Sequence, residues 1–160
     1  MQQLIEALQI LKESNNLKNE NILLLVAGEL KKNKDQFPFE YRELGLLANN
    51  EQLVAVYHAA DVFVCPSIED SGPMMINQSV MTGTPVVSFE MGVSQDLVLT
   101  GITGYRAKLK DSRDLAKGIE YVLSLNDEAY NKMCGNCRDL AISNYSFNIS
   151  SKKIIQFIQK

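Results

Sequence analysis

Asp61-Val-Phe-Val-Cys-Pro-Ser-Ile-Glu-Asp70-Ser-Gly-Pro-Met-Met-Ile-Asn-Gln78-Ser-Val-Met-Thr-Gly-Thr-Pro-Val-Val-Ser88 reads without a break as strand, polar turn, helix and strand. The apolar run Val62 to Cys65 has strand length and stops at Pro66-Ser67. Glu69-Asp70-Ser71-Gly72 makes a polar turn, and Pro73 suits the first turn of a helix because the N–H it lacks would be unpaired there anyway. The helix is expected to stop at Thr82-Gly83, where a glycine takes the left-handed conformation without cost, and Pro85 to Val87 begins the next strand. In a parallel sheet such a unit places the turn and the helix tip at the carboxyl edge of the strands. Open α/β sheets bind ligands there, and free N–H groups favour an anion such as a phosphate.

Towards the amino end, Leu4, Ile5, Leu8 and Leu11 keep helical spacing, so an amphipathic helix begins almost at Met1. Ile22 to Ala27, closed by Gly28, is a strand, and Tyr41 to Leu44 a short edge strand. Asn49 with Gln52 forms a capping box for a helix carrying Leu53, Val54, Val56 and Tyr57 and ending near Ala60. Towards the carboxyl end the pattern predicts a short helix over Ser94 to Leu99, a turn at Gly101-Ile102-Thr103-Gly104 and a strand from Tyr105 to Ala107. A helix opens at Asp111 and Asp114, with Leu115, Ile119, Val122 and Leu123 inward, and segments Asp127 to Ser143 and Phe147 to Gln159 follow. Strands alternating with helices predict a Rossmann-like, doubly wound parallel sheet flanked by helices.

A chain of 160 residues suits one domain, here residues 1–160, with the helices of 127–160 packing on it. A net charge of -3 without a sustained basic stretch argues against nucleic acid as a partner, and Lys31-Lys32-Asn33-Lys34 is read as a solvated loop. No apolar run approaches the ~18–20 residues that cross a bilayer, the start lacks the basic region and cleavage site of a secretory signal, and three cysteines fit a reducing cytoplasm. The expected location is cytoplasmic.

Several residues take plain structural readings. Cys134-Gly-Asn-Cys137 lies in a helical stretch rather than after a strand, so it reads as structural. His58 is the only histidine, which excludes a two-histidine metal site; it is expected on a helix against the sheet. Met74, Met75 and Met81 read as core filler, and Cys65 as inert at the end of a buried strand. No metal ligand set is predicted.

Nearly the whole chain resembles the C-terminal, donor-binding half of a retaining glycosyltransferase of the two-Rossmann-domain GT-B fold, group 1 or family 4-like. The resemblance rests on Leu53-Val-Ala-Val-Tyr57-His-Ala-Ala-Asp61-Val-Phe-Val-Cys-Pro66-Ser67. It continues in an acidic residue, seven others and a second family acidic position, then Thr82-Gly83-Thr84-Pro85-Val86-Val87, Gly92, Thr103-Gly104-Tyr105, Asp111 to Leu115, and Tyr145-Ser146-Phe147. Counting back from Gly83 puts the family's paired glutamates at Asp70 and Gln78. The resemblance implies that Asp70, or Glu69 beside it, lies near the donor sugar as the catalytic carboxylate. It also implies that Gln78 faces the nucleotide ribose with a neutral amide in place of a charged acceptor. Ser71, Gly72 and Met74 would hold the diphosphate with N–H dipoles and no metal, with Pro73 lining the same turn. Gly92 and Val93, in the turn Glu90 to Ser94, would line the same cleft.

The implied donor is a UDP- or GDP-sugar, and no cofactor is implied. The family carries a first strand and a loop with an Arg and a Lys before the amphipathic helix. That strand is missing here, and a separate N-terminal acceptor domain completes the catalytic cleft. The resemblance therefore implies an inactive chain by itself and a gap in the middle of the sheet. It leaves open self-association through strand edges and a peripheral membrane location of the full-length protein. Two alternatives stand beside it: a non-catalytic sugar-nucleotide-binding or interaction module, suggested by Gln78, and a related two-domain fold such as a sugar-nucleotide epimerase or glycan phosphorylase.

Overall fold

A computed structural model describes residues 1–14, 16–17, 22–30, 36–69, 74–145 and 147–159. Twelve elements follow one another: α1 (Gln2–Ser14), β1 (Leu23–Ala27), β2 (Glu40–Gly45), α2 (Asn50–Ala59), β3 (Phe63–Cys65), α3 (Met74–Thr82), β4 (Val86–Phe89), α4 (Ser94–Leu97), β5 (Gly104–Ala107), α5 (Ser112–Leu123), α6 (Asp127–Tyr145) and α7 (Phe147–Ile158). Their order matches the periodicity of the sequence, with ends shifted by one or two residues.

All strand pairs are parallel, but the described strands form two sheets rather than one: β1-β2, and β3-β4-β5. Among the described residues no ladder joins the two sheets. In the three-stranded sheet, β4 is central and buried along its whole length, as a strand covered on both faces must be. The pleat sends Val87 and Phe89 to one side and Val86 and Ser88 to the other. Val87, Phe89 and Ala107 join a core with Ala7, Leu8 and Leu11 of α1 and Leu115, Ala116, Ile119 and Val122 of α5. Val86 and Cys65 join a second core with Ile76 and Val80 of α3, Leu97 of α4, and Cys137 and Ala141 of α6. Helices on both faces make the architecture doubly wound.

Local chemistry sets the element ends. Asn49 Oδ1 accepts from the Gln52 N–H at 2.9 Å while Gln52 Oε1 accepts from the Ala48 N–H at 2.8 Å, a reciprocal cap of the kind expected. Asp111 Oδ1 accepts from the N–H groups of Arg113 and Asp114 at the start of α5. After α3, Gly83 is left-handed at φ 85°, and the Gly83 and Thr84 N–H groups donate back to the carbonyls of Val80 and Ser79, a Schellman ending.

Two expectations fail. His58 is exposed rather than against the sheet; Tyr57, one step round the helix, is the buried residue of α2. Met74, Met75 and Met81 are not core filler but stand out from α3 into solvent, because α3 is short and Ile76, Ser79 and Val80 already form its inward face. Cys65 and Cys137 are buried as anticipated. The Lys31-Lys32-Asn33-Lys34 stretch lies outside the described residues.

Candidate functional site

Parallel pairing aligns Phe63, Val64 and Cys65 with Val86, Val87 and Ser88, so the turns leaving β3 and β4 emerge side by side at one carboxyl edge. Of the residues singled out by sequence, Glu69, Met74, Gln78, Gly92 and Val93 are described. Asp70, Ser71, Gly72 and Pro73 lie outside the described residues. Glu69 and Met74 are exposed, and Gln78 is half-buried one turn into α3.

The turn after β4 is closed by hydrogen bonds. Gly92 takes φ 49°, a left-handed conformation that suits glycine, and Val93 precedes the first residue of α4. Beneath them Ser94 is fully buried. Its Oγ accepts from the Met91 N–H at 2.8 Å and lies 2.6 Å from the carbonyl oxygens of both Phe89 and Met91, to which its single proton is available. One hydroxyl thus staples the turn to its strand and leaves Gly92 exposed at the tip. The sequence marks Ser94 only as the end of the Glu90 to Ser94 turn and the start of a helix, because its three partners are set by how the turn folds back on β4.

Gln78 is not free-standing. Its Oε1 accepts from the Tyr57 hydroxyl at 3.3 Å, and that hydroxyl also donates to the Met75 carbonyl at 3.1 Å. Burial pushes the Tyr57 phenol up to about 12, with the nearby Cys65 thiol adding to the effect, so it remains a proton donor at neutral pH. The sequence marks Tyr57 as a helix position and part of the family stretch, with no role at the site. Its partnership with Gln78 spans 21 residues and depends on how α2 meets α3.

At the end of β4, Ser88 is buried, and among the described residues its hydroxyl has no partner. A hollow of about 270 Å³ lies elsewhere, on the flank of α3 facing α6, lined by Asn77, Val80, Met81, Leu97, Ala141 and Tyr145; neither Gln78 nor Gly92 borders it. Among the described residues no group of three or more His, Cys, Asp or Glu could hold a metal ion. No helix among them is long and apolar enough to cross a membrane.

Comparison with known proteins places this geometry. Residues 1–139 match the model of the family described as glycosyl transferases group 1. A D-inositol 3-phosphate glycosyltransferase of Corynebacterium urealyticum is 35% identical over 78 residues, which are 49% of this chain and 18% of that protein. The Escherichia coli UDP-Gal:alpha-D-GlcNAc-diphosphoundecaprenol alpha-1,3-galactosyltransferase is 25% identical over 140 residues, 82% of this chain and 35% of that one. Among solved structures, Anabaena HepE in complex with UDP-glucose superimposes with a TM-score of 0.76 at 20% identity, covering 99% of this chain and 44% of its own. The C-terminal domain of a group 1 glycosyl transferase, LpcC of Francisella tularensis, gives 0.73 at 19% identity over 91% of this chain and 79% of its own. The chain spans well under half the length of the curated relatives it matches. It has the fold of a GT-B half-domain and belongs to the glycosyl transferases group 1 family.

Proposed function

We propose that the chain is the nucleotide-sugar-binding half of a retaining glycosyltransferase, which moves a sugar from a nucleoside diphosphate donor to a glycan or lipid-linked acceptor. The observation that carries this reading is the side-by-side exit of the β3 and β4 turns at one carboxyl edge, in a chain of this family. The relatives support it by name, since HepE was solved with UDP-glucose and the Escherichia coli relative is a UDP-galactose-dependent transferase.

In this reading Asp70, or its neighbour Glu69, orients a donor hydroxyl or balances positive charge developing at the anomeric carbon. The N–H groups of Ser71, Gly72 and Met74 stabilise the leaving diphosphate without a metal, because fixed dipoles at a helix tip favour anions. Gln78 meets the ribose, and Gly92 with Val93 lets backbone approach the donor. The acceptor binds in a second domain, so the chain alone binds donor without transferring it. The reading also places the working protein in the cytoplasm.

Calorimetric titration of the chain with UDP, GDP and ADP tests this. Binding of a uridine or guanosine diphosphate, weakened by Asp70→Ala and by Gln78→Ala, is expected; a folded sample giving no heat with any of the three would overturn it. A second reading, a non-catalytic sugar-nucleotide-binding module, is favoured by one observation: position 78 holds a neutral amide already engaged by Tyr57. A transfer assay on a longer protein carrying both domains separates the two, since only the first predicts turnover.

A further inference from the structure

Burial and two contacts fix where the Tyr57 hydroxyl sits. The side chain is 6% exposed, its ring meets the Phe63 ring edge-on at 5.5 Å between centroids and 81° between planes, and its backbone carbonyl accepts from Thr84 Oγ1 at 2.8 Å. The residue is therefore held by β3 below its ring and by the α3–β4 corner behind its backbone. Its hydroxyl reaches α3 between the Met75 carbonyl and Gln78 Oε1. A phenol carries one proton and a backbone carbonyl or amide oxygen only accepts, so the two oxygens share that proton. The carbonyl end of the Gln78 amide is thereby turned towards α2. Among the described residues none accepts from its NH2 end, which points away from Tyr57.

We propose that Tyr57 is a positioning residue for the donor site: by holding Gln78 Oε1 it makes position 78 offer an N–H donor to a ribose hydroxyl oxygen, where a carboxylate would offer an acceptor. This rests on the reading of Gln78 as ribose-facing. The consequence is a reversed hydrogen-bond polarity. A ribose oxygen that can accept but not donate is tolerated by the amide and refused by a glutamate at the same place.

The test uses UDP, 2′-O-methyl-UDP and 3′-O-methyl-UDP as calorimetric probes of the wild-type chain, Gln78→Glu and Tyr57→Phe. An ether oxygen accepts but cannot donate, and the added methyl group burdens every variant alike. The wild-type chain is expected to bind at least one ether within about 3-fold of UDP. Gln78→Glu should lose about 10-fold between UDP and that ether, the worth of one hydrogen bond to a charged group. Tyr57→Phe, which keeps the ring, should weaken UDP by about 3- to 10-fold.

A second measurement needs no ligand. The Gln78 side-chain 15N–1H2 resonances should give a rigid heteronuclear NOE in the wild-type chain and a mobile one in Tyr57→Phe. Equal rejection of both ethers by wild type and Gln78→Glu, or a Gln78 amide equally mobile with and without the hydroxyl, would overturn the proposal. If Tyr57→Phe does not fold, a mobile Gln78 amide in the wild-type chain overturns it. Absence of UDP binding together with a rigid, Tyr57-dependent amide would overturn the ribose-facing role while leaving the Tyr57–Gln78 contact intact, so the two failures are distinguishable.

Discussion

Gly104 passes Val86 so closely that a Cβ at position 104 would stand 1.9 Å from the Val86 carbonyl oxygen, with φ at 151°. The contact lies at the start of β5, where Gly104 is paired with Val86 of the central strand. Neither the backbone of β4 nor that of β5 yields without breaking the ladder between them. Gly104→Ala should therefore cost at least about 3 kcal/mol, from steric overlap and the strained backbone together. Urea unfolding checks it: a lower midpoint at unchanged slope is expected, and an unaltered midpoint would refute the close approach.

Ser94 staples the β4 turn through a single buried hydroxyl. Ser94→Ala removes the side-chain acceptor of the Met91 N–H, which keeps only the Phe89 carbonyl at 2.9 Å, so a loss of about 0.5–1.5 kcal/mol is expected. Under the proposed function it should also weaken UDP or GDP binding more than a stability-matched change in α5 does, because the Gly92 tip loses its support.

Ser88 presents the opposite case. Its buried hydroxyl lacks a partner among the described residues, and burial of an unpaired polar group is destabilising. Ser88→Ala is expected to leave stability unchanged or raise it by up to about 1 kcal/mol. A clear loss in thermal unfolding would mean that the hydroxyl has a partner in solution.

Alkaline pH should unfold the chain through its buried phenols and thiol. Burial raises Tyr57 from 10.0 to about 12 and Cys137 from 9.0 to about 12. Tyr105 rises from 10.0 to about 12 through burial and then through its hydrogen bond to Asp114. Each holds its proton more tightly folded than unfolded. Their contribution is thus fully present below about pH 9 and is lost as pH climbs from 9 towards 12. Denaturant midpoints measured from pH 8 to 11 should fall steadily above pH 9, and Tyr105→Phe should flatten the fall above pH 10.

The fold was legible where one short-range signal decides an element. Asn49 with Gln52 announced α2, Gly83 announced the end of α3, and the spacing of Leu115, Ile119 and Val122 announced the buried face of α5, because caps and periodicity act within a few residues. Relations across elements were not legible. His58 and Tyr57 are neighbours in sequence, and only the docking of α2 on α3 and β3 decides that the tyrosine turns in. Met74, Met75 and Met81 carry hydrophobic side chains, yet three other positions of α3 already fill the space beneath it. The division of the described strands into two sheets is marked by no residue of the sequence. The sequence places Gly92 in the turn after β4 and Gln78 on α3, where the structure has them, whereas the contacts that hold them, from Ser94 and Tyr57, arise from packing.

The most direct test is a backbone amide titration of the 15N-labelled chain with UDP and, separately, GDP. Binding at the carboxyl edge predicts saturable shifts at Gln78, Gly92 and Val93 with one of the two nucleotides, and none at Met81 or Ala141 in the hollow between α3 and α6. Shifts confined to that hollow, or none at all in a folded sample, would contradict a donor site formed by the turns after β3 and β4.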